Sequence, residues 1–245
     1  MKTKLSTRIL NSKAYQVFDY VCRLIILNVL LIICSFSLLI IFTNIFPNLS
    51  DNYKLLLLIP TALTLYPSIT AVTYTIKGYQ TNTLGGTFKD FFYGFGKYYG
   101  KTVIISILLI VVFVLLMNSY QYFNAYKANG LAYGIGYVLT FTFMFMVIML
   151  LIHIPLVLVY FDGLNVKYYL KLSLILAFKE LGITFICALI VAASITLSIL
   201  LNLYMLIIGF SLPIFLIVLI TKKKYLILSE RNKESWKNIL HIFYV

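Results

Sequence analysis

Residues 181–220 read LGITFICALIVAASITLSILLNLYMLIIGFSLPIFLIVLI, forty positions without a Lys, Arg, Asp or Glu. As one straight helix this stretch would extend ~60 Å at 1.5 Å per residue, twice the ~30 Å hydrocarbon core of a bilayer. It must therefore fold back on itself. The turn at Asn202-Leu203-Tyr204 leaves about 20 residues before it and about 18 after it, enough for two spans. Gly209 to Pro213 is the rival turn.

The same criterion applied to the rest of the chain finds uncharged segments at 24–46, 55–76, 102–123 and 131–161. Pro155 is expected to break or kink the last of these near its end. Composition agrees: of 245 residues, 62% are hydrophobic and 11% charged, against ~25% charged in an ordinary soluble domain. This excludes a cytosolic enzyme and a disordered chain. The predicted fold is all-α, a single polytopic bundle over 1–245 with six transmembrane helices, at about 24–46, 55–76, 102–123, 131–154, 181–201 and 204–221.

Charge sets the orientation. With six spans, eighteen of the twenty Lys and Arg fall on the side of the two termini, and only Lys54 and Lys127 face the other way. The positive-inside rule makes the richer side cytoplasmic. The formal net charge of +13 thus has a topological cause, and no nucleic-acid partner is expected. The basic stretch before residue 24 is long and contains Asp19, and a full-length apolar run follows, so it reads as an anchor and not as a cleaved leader. Abundant Lys, Ile, Tyr, Phe and Asn accompany AT-rich genomes and point to a bacterial cell membrane.

The outer loops, 47–54 and 118–130, are short, so the mass outside the bilayer is expected in the cytoplasm. Residues 84–101, LGGTFKDFFYGFGKYYGK, form an amphipathic helix on the 100° wheel. Phe88, Phe91, Phe92, Phe95, Tyr98 and Tyr99 share one side, and Lys89, Asp90, Lys97 and Lys101 share the other. This predicts an interfacial helix with its aromatics toward lipid and its charges in the cytosol, able to serve as a docking element. Leu10, Ala14, Val17, Phe18 and Val21 form a second stripe, and Trp236, Ile239, Leu240 and Phe243 a third in the tail 222–245. Segment 164–180 has no single apolar face and reads as a helix rising into the fifth span.

Chemistry-bearing groups are scarce. No acidic or basic side chain lies in a span, where proton- and ion-coupled transporters place them. His153 is the one titratable candidate inside the bundle, and its plain reading is a packed or carbonyl-bonded histidine. There is no GxxxxGK[ST], HExxH or GxSxG. Cys22, Cys34 and Cys187 form no CxxC. No catalytic residue, metal site or cofactor is expected. The polar residues in the spans, Asn28 and a series of Ser and Thr among them, read as helix–helix hydrogen-bonding groups. Gly130 and Gly134 have GxxxG spacing, which suits a close helix crossing.

Three short motifs resemble the YesL family of bacterial membrane proteins: Asn28 in the first apolar segment; Thr64, Pro67 and Ala71 in a T-x-x-P-x-x-x-A pattern, with Tyr66 where that family has glycine; and Asp90-Phe91-Phe92 followed by Phe95, Lys97 and Tyr98. The resemblance covers residues 13–101. It implies a membrane protein whose relatives are often encoded beside carbohydrate ABC importers, and hence an accessory role with such a permease as partner. No EAA-type coupling loop makes the chain an importer's own permease. Three readings stand open: a non-catalytic auxiliary subunit, a stand-alone or oligomeric permease or channel for a small solute, and a lipid- or glycan-modifying membrane enzyme. The bilayer is a partner in all three.

Overall fold

The structure is a computed structural model that describes residues 13–35, 51–81, 85–201, 204 and 207–231. The described chain folds into seven α-helices: α1 (Lys13–Cys34), α2 (Asp51–Gln80), α3 (Thr87–Tyr126), α4 (Leu131–Tyr160), α5 (Val166–Lys179), α6 (Leu181–Leu200) and α7 (Ser211–Arg231). Four of these stretches are long and apolar enough to cross a membrane: Val17–Cys34, Thr87–Tyr126, Leu131–Tyr160 and Leu181–Ser198. The fold is that of a helical membrane protein. The tail stripe at 236–243, residues 36–46 of the first predicted span and most of the turn at 202–204 lie outside the described residues.

Helix α2 occupies the centre, packed against α1, α3, α4 and α7. No residue from 63 to 80 is exposed. Its hydroxyls are accommodated by back-bonding to the preceding turn: Ser68 donates to Thr64 O, Thr70 to Tyr66 O, Thr73 to Ile69 O and Thr75 to Ala71 O. Around it Leu27, Leu31, Val72, Ile76, Phe91, Ile105, Ile154, Leu158, Tyr169 and Val218 form one core.

Several predicted boundaries move. The stripe through Val17, Phe18 and Val21 is continuous with the first apolar segment, because nothing between them breaks helical geometry. The stretch around 84–101 is likewise no separate helix: from Thr87 it runs unbroken into the apolar segment as the 40-residue α3. Pro155 does not end α4, which continues to Tyr160. Segment 181–220 does divide: α6 ends at Leu200 and α7 begins at Ser211, with Tyr204 and Ile207 helical between them. At this break several backbone donors find acceptors. The amides of Phe210 and Ser211 donate to the Asn28 side-chain oxygen at 2.9 and 3.1 Å. Leu212 donates to Ile208 O, and Pro213 has no N–H to place. On the α6 side the Ser194 hydroxyl donates to Gly209 O at 2.7 Å.

Candidate functional site

The first turns of α3 pack onto the second half of α2. Phe91, Gly94 and Tyr98 follow one another at i, i+3 and i+7, and all three are buried. Gly94 has a steric reason, since a Cβ there would come within 2.8 Å of Tyr74 Cδ1. This contact rotates α3 away from the predicted setting. Phe91 is fully buried in the bundle, whereas Phe88, Phe92, Tyr93 and Tyr99 stay exposed. Asp90, predicted in the cytosol, is 7% exposed. Its carboxylate accepts the Gly86 N–H at 2.9 Å and so closes the start of the helix. The aromatics therefore divide into a seating row and an outward row, and Asp90 serves the helix end.

Next to this seat lies a layer of cations, each directed at a backbone or side-chain oxygen of another element. Lys77 donates to Val159 O in the last turn of α4 at 2.8 Å and sits 4.5 Å from the centre of the Tyr160 ring. Lys222 donates to the Gln80 carbonyl, the last of α2, at 2.6 Å. Lys101 donates to Leu164 O at 3.1 Å. Helix C-termini carry unpaired carbonyls and partial negative charge, so a neighbour's ammonium is the natural cap. Lys97 pairs with Asp162, and Lys224 with Glu180. Burial, with repulsion from Lys97, lowers the pKa of Lys77, and Asp162 works against it. Burial would lower that of Lys97 as well, but its hydrogen bond to Asp162 and the charge there carry it above the ordinary lysine value.

Within the bundle, His153 joins three helices. Its Nδ1 lies 2.5 Å from the Tyr225 hydroxyl and its Nε2 2.8 Å from Thr184 Oγ1. The Thr184 hydroxyl has carbonyl acceptors at Ala177 and Glu180, both at 3.0 Å. With its single proton directed there, Thr184 accepts from Nε2–H, and Nδ1 accepts from Tyr225. Both ring nitrogens are engaged, and the residue is 1% exposed. Neither a substrate nor an attacking nucleophile has access to it.

Of the residues singled out by sequence, Thr64, Pro67 and Ala71 lie on the central helix, Asn28 caps α7, His153 ties α4 to α6 and α7, and Asp90, Phe91 and Phe92 open α3. They are not gathered into one pocket. Among the described residues no group of three His, Cys, Asp or Glu is placed to hold a metal ion. Sequence reasoning missed Tyr66, whose hydroxyl donates to Leu151 O at 3.1 Å. Leu151 is the i−4 carbonyl that Pro155 leaves without its donor, so the signal was the proline itself. The lysines at helix ends were read for topology alone, and their pairing with carbonyls was the second signal overlooked. No family model, curated protein or solved structure matches the chain.

Proposed function

We propose that the chain is a non-catalytic accessory membrane subunit with six spans and both termini in the cytoplasm, which binds another integral membrane protein. The observation that carries this reading is the outward aromatic row of α3: Phe88, Phe92, Tyr93 and Tyr99 are 57, 53, 58 and 42% exposed. They sit on a helix start held in place by Phe91, Gly94 and Tyr98. Large aromatic side chains on a rigid element are the usual anchors of an interface. The internal polar groups argue in the same direction. Among the described residues Asn28, Tyr66, His153, Thr184 and Ser194 all bond within the chain, as groups that hold helices together do. The resemblance to the YesL family of bacterial membrane proteins makes the permease of a carbohydrate ABC importer the first partner to test.

Gentle-detergent capture of the tagged full chain with mass spectrometry tests the pairing. Wild type is expected to recover a permease, and Phe88→Ala/Phe92→Ala/Tyr99→Ala to recover it several-fold less at equal expression. Equal recovery by the triple variant removes α3 as the contact. Topology is tested separately: on a background with the native cysteines replaced, a membrane-impermeant thiol reagent should label a cysteine at position 127 in intact cells and not one at position 223. Labelling at 223 sinks the six-span arrangement.

A further inference from the structure

We propose that the first turns of α3 stand outside the bilayer on the cytoplasmic side, and that Phe88, Lys89, Phe92 and Tyr93 dock an acidic, apolar segment of the partner that lies in the cytosol and not one of its membrane spans. This rests on the accessory-subunit reading and adds where, and to what chemistry, the contact is made. Helix α3 has 40 residues, ~60 Å, twice the hydrocarbon core. Its far end is marked by the hydroxyls of Tyr120 and Tyr137, 3.3 Å apart. Tyr122, Tyr126 and Tyr133 form a second group of touching rings in the same hairpin, as tyrosines gather at a membrane–water boundary. The near boundary is marked by Lys101, which donates to Leu164 O, and by the pairing of Lys97 with Asp162. Residues 102–119 between them carry no charge, and the distance from Lys101 to Tyr120 is ~29 Å, one hydrocarbon core.

The turns before Lys101 therefore have no hydrocarbon left to cross. Phe88, Phe92 and Tyr93 lie ~12–20 Å further along the axis, and a helix tilt of ~20° shortens that by less than about a tenth. Headgroups extend only ~5–8 Å beyond the core. Of the outward row, Tyr99 alone is near enough to Lys101 to stay among them. Three large exposed aromatics thus face water on a helix start that is seated firmly on α2, and such a patch marks a protein contact. Charge decides the occupant. Lys89 is exposed between Phe88 and Phe92, and no ion pair among the described residues involves it. Asp90, beside it, is buried and closed on the Gly86 N–H, and Asp162 is taken by Lys97. Aromatics joined to a positive charge have their complement in a segment that carries carboxylates and apolar side chains. Gly96 continues the row, and a Cβ there would meet nothing within 4 Å, which leaves room for the backbone of that segment.

Depth is read on the purified full chain in phosphatidylcholine nanodiscs, with Trp236, the single tryptophan, replaced by Phe. Phe92→Trp is expected to be quenched by acrylamide several-fold more than Val111→Trp on the exposed middle of the span. Lipids brominated along the acyl chain should quench Val111→Trp and spare Phe92→Trp. Quenching of Phe92→Trp by those lipids overturns the placement and leaves the accessory-subunit reading standing. The occupant is read in cells with a photo-crosslinking residue in place of Tyr93. Cross-linked peptides are expected from an acidic cytosolic segment of another membrane protein, at a yield that falls several-fold with Lys89→Glu and with Gly96→Leu at equal expression. Peptides from apolar spans, or a yield that Lys89→Glu leaves unchanged, overturn the docking assignment. Cross-links to a second copy alone, or none, while Phe92→Trp reads as water-exposed, fail the accessory-subunit reading together with it. Size-exclusion profile and helical content serve as controls for folding.

Discussion

Helices α2 and α6 are both long and largely uncharged, yet they occupy opposite situations. By hydrophobicity α6 is much the stronger membrane segment and α2 the weaker. The structure places α2 at the centre, with no exposed residue from 63 to 80, and leaves α6 at the edge, where only 17% of Leu181–Ser198 is buried. In water the more apolar helix would be the buried one. In a bilayer lipid takes up apolar surface as readily as protein does, so burial follows the polar groups that need partners and the small residues that allow close packing. The Ser and Thr hydroxyls of α2 are satisfied within the helix, so the bonds that Tyr66 and Lys77 make to α4, with the close contact of Tyr74 on Gly94 of α3, are what tie it to its neighbours.

The contrast can be broken at its most demanding point first. Asn28→Leu should be the most damaging substitution, because it leaves two buried amides, of Phe210 and Ser211, without an acceptor. A loss of about 2–4 kcal/mol is expected, read as reduced thermal stability of the purified protein in detergent, and Asn28→Asp, which keeps the acceptor, should recover much of it. Gly94→Ala comes next: the new methyl group collides with the Tyr74 ring, for a cost of about 1–3 kcal/mol, and the same melting assay should show it, accompanied by faster proteolysis near residue 86. Tyr66→Phe removes one donor from the Leu151 carbonyl and should cost about 1 kcal/mol; in a Pro155→Ala background, where residue 155 regains its N–H, that cost should fall toward zero. Leu189→Ala on the outer face of α6 belongs at the bottom of the scale, within about 0.5 kcal/mol of wild type. An effect at Leu189 as large as that at Asn28 would show α6 to be a packed helix and overturn the comparison.

The sequence revealed its helices wherever charge was missing, because an uncharged run has only one stable state in a membrane. The fold-back within 181–220 was legible from length alone. The start of α7 at Ser211 falls inside the rival turn Gly209 to Pro213, but no local pattern encodes its cap, which comes from Asn28 on another helix. Asp90 was placed on the wrong side for a related reason. The helical wheel sorted residues by polarity, whereas packing sorted the aromatics by steric fit, and Gly94 midway between Phe91 and Tyr98 was the sign of the buried side. Helix α5 gave no periodicity because its apolar residues serve two surroundings at once. Tyr66 was noted only as a departure from a motif, and its role depends on a proline 89 positions later in the chain.

The contacts of α7 also impose an order on the making of the protein. Asn28 caps backbone amides 182 positions further along the chain, and Lys222 closes a carbonyl 142 positions before it. Synthesis at about 5–20 residues per second separates these partners by roughly 7–36 s. During that interval α1 and α2 exist without the amides and the ammonium that α7 brings to them. The earliest helices are thus completed by the last, and a ribosome that stops before residue 211 leaves a bundle whose central helix is present but still open at its end.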